Sequence, residues 1–267
     1  MTERLRATFA ACRAQGRPAL VTYVMGGDPD IPTSLDLALA CARGGADILE
    51  IGMPFSDPIA DGPVIQRAAE RSLKAGTTVA GCLELAAELR RQLPDTPLAL
   101  MGYLNPVLSM GTGAFVLRCA EAGVDAIILP DLPVEEAAQL REQAAACGVG
   151  LVFLIAPTST PARATAALDA STAFAYFVSV TGVTGARAAL PEETATRLDA
   201  LRRPEGPPVV VGFGVSTSDQ VRALGTHADG VVVGSAIVFR IAQPDSSAQK
   251  VARVESFVRS LCSPPQP

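Results

Sequence analysis

Eight apolar runs of strand length, each followed by a stretch of helical periodicity, constrain this chain more than any other feature. The runs cover residues 19–25, 47–52, 98–103, 126–129, 151–155, 174–178, 209–212 and 230–233. They are apolar throughout rather than alternating, the pattern of a parallel sheet covered on both faces. The helical stretches fall at 32–43, in two pieces across 63–93, and at 112–121, 134–146, 161–170, 191–202 and 218–224, with a closing helix from Gln249. Thr78 and Ser218 stand where helix caps belong, and Pro133, Pro161 and Pro191 suit early helical positions. No Gly-x-Gly-x-x-Gly follows the first run, so a closed barrel is favoured over a Rossmann sheet. The expected fold is α/β: a single (β/α)8 TIM barrel spanning 1–267, with an extra helix after strand 2 at 64–74 and a frayed tail at 263–267.

Composition narrows the chemistry. A net charge of −5 with no basic block gives nucleic acid no footprint. Apolar runs stop short of the roughly 20 residues that span a bilayer. The opening Met1-Thr2-Glu3-Arg4 leads into a mixed segment without a signal-peptide core, so the expected location is cytoplasmic. Six scattered cysteines without a C-x-x-C pair read as reduced core thiols rather than disulfides or metal ligands. One histidine, His227, is too little for a His-based zinc site or a Ser-His-Asp triad, and it reads as a surface residue. Neither lysine, Lys74 or Lys250, ends a strand run, which argues against Schiff-base chemistry.

On a barrel, catalytic groups sit where strands end and their following loops begin. The second run ends on Glu50 and enters a loop, 53–63, dense in proline and glycine, with Asp57 and Asp61 among Met53, Phe55 and Ile59. A loop mixing apolar and acidic groups is built to cover an aromatic ligand, a neighbouring subunit, or both. A carboxylate beside Leu49 and Ile51 is partly desolvated, which suits a group that gives and takes a proton, although a structural carboxylate capping nearby amides fits as well. All three tyrosines, Tyr23, Tyr103 and Tyr176, fall in strand runs, consistent with an aromatic-lined pocket or with simple strand preference.

A second constellation is rich in glycine. Gly182-Val183-Thr184-Gly185 follows the sixth run, Gly212-Phe213-Gly214-Val215-Ser216 ends the seventh, and Gly234-Ser235-Ala236 follows the eighth and opens a helix. Glycines let backbone N–H groups approach an anion, and a helix N-terminus adds a favourable dipole. A phosphate site at strands 6–8 is therefore expected. The residues by themselves describe a barrel that binds a phosphorylated small molecule with an apolar or aromatic part, with no metal cluster.

The chain resembles the tryptophan synthase α subunit family from Gly26-Gly27-Asp28-Pro29 to Gly234-Ser235-Ala236-Ile237. The most specific match runs from Glu50 through Pro54-Phe55-Ser56-Asp57-Pro58 to Asp61-Gly62-Pro63. Met101-Gly102-Tyr103-Leu104-Asn105-Pro106 and Pro130-Asp131-Leu132-Pro133 support it, as do the glycine segments. The resemblance implies retro-aldol cleavage of indole-3-glycerol phosphate to indole and glyceraldehyde 3-phosphate. By it, Glu50 is the general acid/base, Asp61 holds the indole N–H, and Tyr176 lies near the reacting part of the substrate. Tyr23, Ile65, Met101, Tyr103, Thr184 and Phe213 are implied at the substrate, and Gly185, Gly214, Gly234 and Ser235 at its phosphate. Pro54, Asp57 and Asn105 match positions facing a β subunit in an α2β2 assembly. That partner carries the pyridoxal phosphate; this chain carries no cofactor and no metal. Val180-Thr181 before Gly182 departs from members with an arginine there, and Tyr23 from members with phenylalanine. A stand-alone lyase releasing indole and a non-catalytic regulator of the β subunit are the alternatives.

Overall fold

The computed structural model describes residues 1–178, 192–212 and 214–262. Eight parallel strands close into a barrel in sequence order: β1 (Ala19–Met25), β2 (Ile48–Gly52), β3 (Leu98–Met101), β4 (Ala126–Ile128), β5 (Gly150–Ile155), β6 (Ala175–Val178), β7 (Val209–Gly212) and β8 (Gly230–Val233). The ring is completed by β8 against β1, with Ala19 opposite Gly230 and Thr22 opposite Val233. Around it, in chain order, lie α1 (Glu3–Ala14), α2 (Ile31–Gly44), α3 (Pro63–Lys74), α4 (Val79–Gln92), α5 (Leu104–Met110) and α6 (Thr112–Glu121). They are followed by α7 (Ala138–Ala146), α8 (Pro161–Ala170), α9 (Glu192–Leu201), α10 (Ser218–Gly225), α11 (Ser235–Ile241) and α12 (Ser247–Cys262).

Side-chain parity explains both the core and the mouth. Successive residues of a strand face opposite sides. Leu20, Val24, Leu49, Ile51, Leu98 and Leu100 point outward into the layer shared with the helices. Val21, Ile48, Ala99, Ala126, Ile128, Val152, Val210 and Val232 point inward and fill the barrel. Met101, Leu154 and Tyr176 pack on that inner cluster from above. One inward step beyond Ile48 is Glu50, and one beyond Val21 is Tyr23, so both are delivered to the mouth.

Several boundaries differ from the sequence reading. β3 stops at Met101, and Tyr103 is instead the residue preceding α5, a helix the sequence pattern did not announce. The 134–146 segment begins as a 3-10 turn at Val134–Glu136 before α7 starts. α12 begins at Ser247 because Ser246 caps it: its hydroxyl oxygen accepts from the Gln249 amide at 3.4 Å, and its own amide donates back to Gln249 Oε1 at 3.0 Å. Thr217, rather than Ser218, caps α10 in a full capping box with Gln220. The first segment is a true helix, α1, burying Leu5, Phe9 and Cys12 at helical spacing.

The cysteines are free; Cys12, Cys41, Cys82 and Cys119 are buried, and burial pushes each thiol up to about 12. His227 is partly exposed, with Nδ1 3.0 Å from the Asp199 carboxylate. None of the described helices is long and apolar enough to cross a membrane.

Candidate active site

Glu50 lies on β2, opposite Tyr23 of β1 on one side and Ala99 of β3 on the other. It is 2% exposed, and its Oε2 has no hydrogen-bond partner among the described residues. Burial, reinforced by the nearby Asp61 charge, raises its pKa to about 8. Asp61 stands on the loop after β2. Burial lifts it to about 6, against a hydrogen bond from the Tyr103 hydroxyl that favours the anion. Glu50 is raised further than Asp61, so of the two it is Glu50 that holds a proton more tightly and Asp61 that ionises first. Two adjacent groups, one neutral acid and one fixed anion, are what proton delivery with charge stabilisation requires.

The loop bearing Asp61 is tied down next to that residue. The Ala60 amide donates to the Tyr103 hydroxyl at 3.0 Å, and the Gln66 side-chain amide donates to the Asp61 carbonyl at 2.8 Å. Behind it, α3 is clamped to the loop after β1: Arg71 grips Asp28 at 2.8 and 2.7 Å, and the Ser72 hydroxyl donates to the Gly26 carbonyl at 2.6 Å. Phe55 packs on the Tyr103 ring, centroids 5.3 Å apart.

Tyr23 approaches the carboxylates from β1, the neighbour of β2, and Tyr176 from β6 across the barrel. Burial first, and then the charges of Asp61 and Glu50, hold both phenols well above their usual pKa. Glycines make room for them. A Cβ on Gly52 would meet the Tyr23 hydroxyl at 2.1 Å, and one on Gly212 the Tyr176 hydroxyl at 2.8 Å. The wall between is apolar: Tyr23, Met25, Ala68, Ala69 and Val238 form one buried cluster, with Val64, Ile65 and Met101 packed on it.

At the far side of the mouth, Gly214 takes a left-handed φ of +63° with open space where a side chain would be. Gly234 precedes α11 without a side-chain cap, and the helix opens at Ser235. Thr184, Gly185 and Phe213 lie outside the described residues. On the rim, Asp57 and Asn105 are exposed, whereas Pro54 is buried. Ile59 is 84% and Leu108 56% exposed. Two pieces of the mouth escaped the sequence reading. Asp131 caps the N-terminus of α5, and Arg71 grips Asp28; each pairs groups distant in the chain, so no local pattern carries the signal. No group of three or more His, Cys, Asp and Glu is arranged to hold a metal among the described residues.

A closed parallel barrel with two unequal buried carboxylates at the C-terminal end of β2 defines a TIM-barrel enzyme of the acid–base class. The family model described as tryptophan synthase alpha chain matches residues 9–263. A protein named tryptophan synthase alpha chain from Citrifermentans bemidjiense is 44% identical over 258 residues, 97% of this chain and 96% of that protein. One of the same name from Caulobacter vibrioides is 47% identical over 247 residues, 92% and 89% of the two chains. A solved tryptophan synthase from M. tuberculosis superposes with a TM-score of 0.86 at 33% identity, covering 97% of this chain and 98% of that one. The chain belongs to the tryptophan synthase alpha chain family.

Proposed function

We propose that this chain is a lyase that cleaves indole-3-glycerol phosphate to indole and glyceraldehyde 3-phosphate by a retro-aldol step. The observation that carries the reading is the Glu50/Asp61 pair at the mouth, Glu50 buried with Oε2 unpartnered among the described residues and Asp61 on the loop close enough for its charge to raise it further. Glu50 gives its proton to indole C3, and the ring becomes an indolenine cation whose N–H faces the Asp61 carboxylate. The Glu50 carboxylate then takes the proton of the adjacent side-chain hydroxyl. That oxygen becomes the aldehyde carbonyl as the carbon–carbon bond to C3 breaks, and the bonding pair returns to the ring to restore indole. Glu50 ends as it began. A fixed counter-charge in a water-poor site contributes on the order of 3 kcal/mol to such a step.

Tyr176 sits beside the reacting carbons, and Tyr23, Ile65 and Met101 receive the indole, in keeping with their common apolar wall. Backbone amides at Gly214, Gly234 and Ser235, together with Gly185, hold the phosphate; the bare backbone at Gly214 and the uncapped start of α11 support this. Thr184 and Phe213 complete the substrate contacts. The partner is a β subunit, in an α2β2 assembly, that supplies pyridoxal phosphate and consumes the indole. Asp57 and Asn105 face it from the rim, with Pro54 shaping the loop from beneath.

The test is release of glyceraldehyde 3-phosphate from indole-3-glycerol phosphate, measured with and without a β subunit. Slow turnover that rises sharply with the partner is expected. Fast turnover indifferent to the partner would make the chain a stand-alone lyase, and no turnover in either case would overturn the activity.

A further inference from the structure

The Pro130-Asp131-Leu132-Pro133 segment plays no part in the chemistry above, yet its carboxylate reaches into the mouth's scaffold. Both Asp131 oxygens accept from the Leu104 amide, at 2.9 and 3.0 Å. Leu104 opens α5, which has no side-chain cap of its own, so a carboxylate from the loop after β4 does the capping. The residue immediately before Leu104 is Tyr103, which is 2% exposed. Its hydroxyl accepts from the Ala60 amide at 3.0 Å, one residue from Asp61, and favours the ionised form of the Asp61 carboxylate beside it. The Phe55 ring lies against it. A continuous path of contacts therefore runs from the β4 loop through the start of α5 to the one site carboxylate that stands on a loop rather than a strand.

We propose that Asp131 and Tyr103 are positioning residues for Asp61: Asp131 fixes the start of α5, and Tyr103 thereby holds the Asp61 carboxylate where the indole N–H arrives. This rests on the reading of Asp61 as the counter-charge of the reaction. Glu50 needs no such arm, because β-sheet pairing on both sides already sets its place. The Tyr103 hydroxyl accepts from a backbone amide and stands beside a carboxylate, and a hydroxyl can accept from the one while donating to the other. In a substrate-contacting role alone that hydroxyl would be turned to the pocket instead of being spent on the loop.

The experiment compares Tyr103→Phe, Asp131→Ala, Asp131→Asn and Asp61→Asn in the full chain with its β subunit present, reading kcat, KM and the pH profile of kcat. Tyr103→Phe keeps the ring against Phe55 and removes only the hydroxyl. A hydrogen bond to a charged group is lost, so kcat is expected to fall roughly 10- to 100-fold with KM nearly unchanged. The acidic limb of the profile should also move to higher pH, since the hydroxyl is what opposes the burial of Asp61. Among the described residues, the titratable groups facing Asp61 are Glu50, Tyr23, Tyr103 and Tyr176, and Asp131 faces Tyr103 from behind. Asp131→Ala should shift the limb the same way and lower kcat by a smaller factor, with Asp131→Asn restoring most of it through its remaining acceptor oxygen. Wild-type kcat and profile in Tyr103→Phe, with Asp61→Asn inactive, would overturn the arm and spare the functional reading. A loss of thermal stability alone in Asp131→Ala, with kcat and profile intact, would also overturn it. Wild-type turnover in Asp61→Asn would sink the functional reading itself, and the arm with it.

Discussion

Of the carboxylates buried in this barrel, Asp125 and Glu50 lie near opposite ends and are treated in opposite ways. Asp125, at the entry to β4 on the N-terminal face, is 0% exposed, and donors surround it. The Thr2 hydroxyl lies at 2.8 Å, Arg4 Nε at 3.0 Å, Arg90 Nη2 at 2.7 Å and the Leu98 amide at 3.0 Å. Glu50, on the C-terminal face, is as deeply buried, but among the described residues it has no cation beside it, and Oε2 is left without a partner. Burial is thus common to both and decides nothing. A buried charge that is fully paired holds elements together, here α1, α4 and the starts of β3 and β4. A buried carboxyl left short of partners keeps its proton and can deliver it. On a barrel, where one end serves stability and the other chemistry, the contrast separates the two roles.

The comparison can be broken most decisively at Glu50. Glu50→Gln keeps shape and burial but cannot exchange a proton, so cleavage should fall about 10²- to 10⁴-fold while the melting temperature at neutral pH does not drop. A steady-state assay beside a thermal melt checks both, and normal turnover would end the acid–base assignment. Asp125→Ala should do the reverse. It strips the partner from two arginines and a buried amide, and should cost on the order of 3 kcal/mol of stability in a urea titration, with kcat of the folded protein unchanged. If its activity fell and its stability did not, the division of labour between the two ends would be wrong.

A third outcome sharpens the contrast through pH. The native pKa of Glu50, about 8, lies above its ordinary value of 4.5, so between those two pH values the folded chain binds more protons there than the unfolded chain. This group's contribution to stability therefore falls as pH rises through that window, by a few kcal/mol at most. Glu50→Gln should match the wild type below about pH 4.5, gain on it progressively as pH rises, and hold its full advantage above about pH 8. Melting curves across pH 4.5–9 would show it, and parallel curves throughout would mean that Glu50 is not held neutral.

Much of this molecule was legible in the chain. Unbroken apolar runs marked every strand to within a few residues, because a parallel strand buried on both faces has no polar position to confuse the pattern. Glu50 stood out because a carboxylate ending such a run has nowhere to go but the barrel mouth. α5 did not, since seven residues containing Asn105 and Pro106 give almost no periodicity. Nor did the place of Tyr103, which reads as the end of a strand but stands just before α5, its hydroxyl accepting from the Ala60 amide of the Asp61 loop.

The sequence by itself determined the barrel, the order of its strands and the strand end that carries the acid, since these follow from local periodicity and from the inward step of two residues. Only the tertiary structure decided which buried carboxylate is satisfied and which is not. It alone brought Asp131 to the start of α5, Arg71 to Asp28, and Arg4 and Arg90 to Asp125. The last three partners lie 43, 121 and 35 residues away along the chain. A proton's affinity for a carboxylate is set by what surrounds it in space, and chain closure places those neighbours.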